Sequence, residues 1–158
     1  MKGMNKKMKL REVFSRNKKI DTETTVKIDV YSDPTTIDPT VVSSTATKIL
    51  IVQGYSICTT DLVEVGVRST DPVTGQKLRR NGRYARFKII KHTICASKTM
   101  TDTIDKRSDI DAFLHVRECE TVHQLQDVVS AITSEIIAKS GKGYVRADIE
   151  SVKTRRIK

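Results

Sequence analysis

Between residues 24 and 32 the chain alternates. Val26, Ile28 and Val30 fall on one face, and Lys27, Asp29 and Tyr31 on the other. This is the period-two pattern of a half-buried strand. The stretch SDPTTIDP (32–39) carries two Asp-Pro pairs and breaks it. TKILIVQGYSI (47–57) then predicts a strand pair or one long strand, with Gly54 at a turn or bulge. DLVEVGVRST (61–70) predicts another, with Val63, Val65 and Val67 on one face and Glu64, Gly66 and Arg68 on the other. Residues 71–82, DPVTGQKLRRNG, are a connection rich in turn residues. RYARFKIIKHTI (83–94) and IDAFLHVREC (110–119) predict two more strands, separated by a polar loop over 97–109.

The period then changes. Val122, Leu125, Val128, Val129, Ile132, Ile136 and Ile137 recur at steps of three and four, one face of an amphipathic helix. Glu120 or Thr121 can cap its start, and Gly141 or Gly143 can end it. YVRADIESVKTRRIK predicts a second short helix or a strand. Strands first and helices after argue an α+β fold: an antiparallel sheet of about five or six strands followed by two C-terminal helices. One strong helix cannot cover both faces of so wide a sheet. A second subunit or a polyanion is therefore expected to meet the other face, which makes the domain dimer-forming.

Charge divides the chain further. Its 158 residues fit one domain, with a net charge of +10. Residues 1–20 carry +7 and residues 139–158 carry +5, whereas 21–138 sum to −2. The expected organisation is a basic N-terminal arm (1–20), a core domain (21–153) and a basic C-terminal tail (154–158). Arms of this kind neutralise phosphates, and Lys6, Lys7, Lys9 and Arg11 are the candidates in the first one. There is no apolar run of about 18 residues to span a membrane and no apolar segment of a secretory signal after the basic start. Three cysteines, Cys58, Cys95 and Cys119, form no C-x-x-C. A disulfide framework or zinc site is not expected, and each thiol reads as a small buried hydrophobe.

No catalytic set emerges, and neither enzyme activity nor a cofactor is expected. On a strand, His115 and Cys119 would share a face about 13 Å apart, too far for a nucleophile and its base. Glu118 and Glu120 flank Arg117's neighbourhood and read as surface ion pairs. Gly141-Lys142-Gly143 follows a helix instead of opening one, the wrong geometry for a phosphate loop.

The informative stretch is KLRRNGRYARFKIIKH (77–92), with seven Lys or Arg and no acid in its first fifteen positions. Alternation puts Tyr84, Arg86, Lys88 and His92 on one face. Cations release counterions from phosphates, and a tyrosine ring stacks on an unpaired base. Arg68 and Arg117 from neighbouring strands would add to that face.

Asn81-Gly82-Arg83-Tyr84 resembles the Asn, basic residue and Tyr with which a strand opens in the coat proteins of single-stranded RNA bacteriophages, the leviviruses. LVEVGVRST resembles that family's preceding strand, and DAFLHVRECETVHQLQDVVSAITSEII its last strand running into its first helix. The similarity covers roughly residues 24–140. It implies interlocked homodimers with one continuous sheet, each subunit's helices lying across the partner. It also implies self-assembly into an icosahedral virion shell in the host cytoplasm, packaging of genomic single-stranded RNA, and repression of translation through an RNA hairpin. The connection 71–82 would be the loop that bends differently at the shell's vertices. The family's RNA-facing positions fall on Arg83, Ala85 and Phe87, while charge alternation prefers Arg86 and Lys88. The expected contacts are therefore Arg83, Tyr84, Arg86, Lys88 and Arg68, with the arm. The long basic arm and basic tail depart from the family. Two other readings stand beside this one: a viral matrix-like peripheral membrane protein, and a cellular RNA-binding module that does not assemble.

Overall fold

A computed structural model describes residues 17–70, 76–77, 79–80, 83–84, 87–141 and 143–157. Strand β1 (Asn17–Ser32) leads to helix α1 (Pro39–Val52) and strand β2 (Ser56–Arg68). A two-residue pair, β3 (Arg79–Arg80) and β4 (Arg83–Tyr84), interrupts the way to the long strand β5 (Phe87–Asp105). Helix α2 (Ile110–Ser140) and strand β6 (Val145–Ile157) complete the chain. The four long strands form one antiparallel sheet in the order β2-β5-β1-β6. With β3–β4 set aside, the order is the split β-α-β, or ferredoxin-like, arrangement. The α+β class expected from the sequence is therefore the class observed.

Helix α1 forms despite a run of β-branched residues because its start is well built. Asp38 is the N-cap, its carboxylate accepts from the Thr40 N–H at 2.9 Å, and Pro39 occupies the first turn. Val42, Ala46 and Leu50 then recur at steps of four and are all fully buried. At the other end Gly54 has φ +94°, and Tyr55 N–H reaches back to the Leu50 carbonyl at 3.0 Å. Helix α2 starts in the same way, with the Asp109 carboxylate accepting from the N–H groups of Asp111 and Ala112. It ends at Gly141, φ +79°, whose N–H bonds the Ile137 carbonyl at 2.8 Å.

Both helices cover one face of the sheet. Thr22, Thr24, Val26, Ile28, Val30 and Ser32 of β1 point toward them and are buried. With Ile94 and Ala96 of β5 and Leu125, Val128, Ile132 and Ile136 of α2, they make one apolar core. Among the described residues, no helix lies on the opposite face, from Lys19 to Tyr31 along β1.

Several expectations are corrected here. Among the described residues the main sheet has four long strands where five or six were expected, and the helices do not both follow it. Residues 47–52 end α1 instead of forming a strand, and residues 110–119 are the first turns of α2. The polar stretch 97–105 continues β5, because its threonines alternate with Met100, Asp102 and buried Ile104 against β1. The final element is β6, not a helix. Two boundaries also move. Residues 17–20 of the expected arm begin β1, with Ile20 buried, and residues 154–157 of the expected tail end β6, with Thr154 buried.

Candidate nucleic-acid interface

The basic run sits on the connection between β2 and β5. Backbone pairing continues outward from the sheet: Val67 opposes Lys88, Arg68 opposes Phe87, and Thr70 bridges Lys77. Beyond that, Arg79 opposes Tyr84 and Arg80 opposes Arg83. A ribbon of two short strands thus brings four residues of the run, three of them arginines, into two adjacent cross-strand pairs. Arg68 and Lys88 lie on β2 and β5 of the four-stranded sheet, and Arg83 and Tyr84 on β4 of the separate two-stranded one; the Lys88 side chain is exposed. Arg86, Lys6, Lys7, Lys9 and Arg11 lie outside the described residues.

The expected cationic face does not hold along the whole strand. His92, its last member, turns inward beneath α1 and is buried, paired across to Val30. Its Nε2 has no hydrogen-bond partner among the described residues. Burial pushes its pKa below the ordinary value of 6.5. Arg117 does not join the basic surface either. It lies on α2, where its guanidinium pairs with Asp102 at 2.6 Å and with Glu120 at 3.3 Å. Glu118 instead accepts from the Thr154 N–H at 2.8 Å, tying the helix to β6.

The open sheet face is polar and largely balanced. Arg155 donates to Glu23 at 2.8 Å, and Arg146 pairs with Asp148 at 2.8 Å. Asp29 accepts from the Thr93 hydroxyl at 2.7 Å and Asp21 from that of Thr101 at 2.5 Å. At the end nearest the ribbon, Arg146, Tyr31, Lys91 and Val63 form one row across β6, β1, β5 and β2. The Arg146 guanidinium stands 5.9 Å from the centre of the Tyr31 ring. A half-buried ring flanked by two cations is a platform on which a base can stack while its phosphates meet charge. Sequence reasoning missed Tyr31 and Arg146 because they are far apart in the chain. The alternation of β1 already put Tyr31 on the solvent face, but only the pairing with β5 and β6 shows its neighbours.

The thiols are also placed differently from expectation. Cys58 and Cys119 are exposed and Cys95 is half-buried, so none is a buried core residue. On helix α2, His115 and Cys119 are one turn apart, with Nε2 and Sγ at 3.7 Å, not the 13 Å of a strand. Among the described residues no group of three or more His, Cys, Asp or Glu is placed to hold a metal, and no helix is long and apolar enough to cross a membrane.

No family model matches the sequence, and no curated protein matches it. A solved structure titled as an unknown protein from Galdieria sulphuraria is similar over 84% of this chain and 50% of its own, at 14% identity and a TM-score of 0.34. This chain spans about half the length of that one, and a likeness at this score supports no argument about fold or function.

Proposed function

We propose that this protein is an RNA-binding structural protein: a viral coat subunit that pairs with a second copy, assembles into a shell and packages single-stranded RNA. The observation that carries the reading is the ribbon between β2 and β5. Seven cations over residues 77–91 have no acid among them, and the ribbon leads onto the row of Lys91, Tyr31 and Arg146. Phosphates would lie along the ribbon and a base would stack on Tyr31.

The sheet edges support self-pairing. The edge strand β6 carries Arg146, Asp148, Glu150, Lys153, Arg155 and Arg156, a charged border that discourages strand addition. The opposite edge, β2, exposes Leu62, Val63 and Val67, each more than half accessible. A second copy of β2 would cover them and continue the sheet.

The test is expression of the protein alone, followed by size-exclusion chromatography, electron microscopy and the absorbance ratio at 260 and 280 nm. Uniform particles that carry nucleic acid are the expected outcome. A small species free of nucleic acid overturns the proposal. A second reading, an RNA-binding module that does not assemble, is favoured by the order of elements, since a split β-α-β chain ending in a strand is not the strands-then-helices order of the levivirus coats. Its signature would be a small species that binds single-stranded RNA without forming particles.

A further inference from the structure

Cys58 and Cys95 are 36 residues apart in the sequence intervening between them, yet β2 and β5 lay them side by side on the open sheet face. The register shows how. Ile57 opposes Ala96, and the next pair is Thr59 with Cys95, so Cys58 is the extra residue of a β-bulge. In a bulge two residues oppose one, and here Cys58 and Thr59 both turn toward Cys95. Contacts from both side chains reach the Cys95 thiol. The Cys58 Sγ is also 3.6 Å from the Ser97 Oγ, which fixes its direction along β5 on the same face as Cys95. Lys27 of β1 opposes Cys95 from the other side. Burial and the neighbouring Cys58 thiol push the Cys95 pKa above its ordinary value, and the Lys27 ammonium offsets only part of that rise.

We propose that Cys58 and Cys95 form a redox-active dithiol that closes to a cross-strand disulfide when it meets a low-molecular-weight disulfide such as oxidised glutathione. Opposed residues on adjacent strands lie within the Cα separation that a disulfide spans, and Cys58 is the neighbour of Thr59, the residue opposed to Cys95. The exposed Cys58 thiolate attacks one sulfur of the small disulfide, forming a mixed disulfide and releasing one thiolate. The Cys95 thiolate then attacks the Cys58 sulfur, forming the intramolecular bond and releasing the second thiolate. The two protons of the protein thiols go to the two released thiolates. The protein pair is oxidised by two electrons and the small disulfide is reduced to two thiols. The ring so closed contains residues 59–94, which include the whole basic ribbon. Oxidation would staple the start of the edge strand β2 to β5, at the end of the strand pair away from the ribbon.

The test uses the full-length protein in buffers of graded reduced-to-oxidised glutathione ratio, quenched with an alkylating agent and read by intact mass and by non-reduced peptide mapping. The expected result is a form with one alkylated thiol, Cys119, and a peptide pair joined through Cys58 and Cys95. In the C95S variant glutathione should stay on Cys58 as a stable mixed disulfide. The oxidised protein should melt roughly 5–15 °C above the reduced one. A wild-type protein that keeps three alkylatable thiols, retains glutathione on Cys58, or links Cys58 to Cys58 of another copy would overturn the proposal.

Discussion

Two glycines precede β6, and both have positive φ, but only one meets a neighbour. A Cβ at Gly141 would enter open space, so Gly141→Ala carries only the conformational penalty of a left-handed residue. A Cβ at Gly143, φ +128°, would lie 2.7 Å from the Thr36 Oγ1 and 2.9 Å from the Ile37 Cγ1. Ile37 is fully buried and cannot step aside without disturbing the core. Gly143→Ala should therefore lose about 2–4 kcal/mol, against about 1 kcal/mol for Gly141→Ala, in urea unfolding of the two variants. His92 makes a second prediction at this scale. Burial lowers its pKa in the folded protein, so above pH 6.5 both states are neutral there and its contribution is fully present. As pH falls through 6.5 the unfolded chain takes up a proton that the folded protein resists, and stability is lost until the folded pKa is reached. Urea midpoints between pH 7.5 and 5 should fall more steeply for the wild type than for His92→Gln; equal slopes would show that the ring is protonated freely.

At the scale of elements, the sequence was legible where one face decides the pattern. β1 and the second half of α2 show clean periods of two and of three to four, and both were expected correctly. The misread elements are those whose residue types argue against their fold. α1 is rich in Val, Ile and Thr, which favour strands, yet Asp38-Pro39 and the four-residue spacing of Val42, Ala46 and Leu50 win. An Asp-Pro pair ends a strand, but it also begins a helix, and the same two residues serve both readings. The first turns of α2 were obscured because Phe113 and Leu114 are only partly buried there and Val116 is exposed. β2 carries the element-scale prediction. Its alternation was legible, but a register shift between Glu64 and Gly66 and its place at the sheet edge were not, since neither is local. If β2 joins a second copy, Leu62→Lys with Val63→Lys should convert the self-associated protein to monomer without unfolding it, because both positions are already half open to solvent. Sedimentation combined with circular dichroism checks this, and a folded double variant that still associates would move the interface elsewhere.

For the molecule as a whole, the distribution of charge matters more than its sum. The net +10 is unevenly spread along the chain, and on the open sheet face Arg155 pairs with Glu23 and Arg146 with Asp148, while α2 ties Arg117 to two acids. In the sequence, the cations with no acid among them are concentrated over residues 77–91, the connection between β2 and β5. That concentration was legible in the sequence as a run without acids. Its continuation onto Tyr31 was not, because it depends on the pairing of three strands. The two parts should separate in binding to single-stranded RNA. Removing Lys88 or Arg83 deletes one phosphate contact each. Each Ala variant should weaken binding similarly for all sequences and reduce the slope of log K against log salt by about 0.7. Tyr31→Phe should bind like the wild type, whereas Tyr31→Ala should lose about 1–3 kcal/mol of affinity with the salt slope unchanged. Fluorescence anisotropy at several salt concentrations distinguishes these outcomes. A Tyr31→Ala variant that binds as tightly as the wild type would confine RNA to the ribbon, and a salt slope untouched by Lys88→Ala and Arg83→Ala would remove the ribbon from the interface.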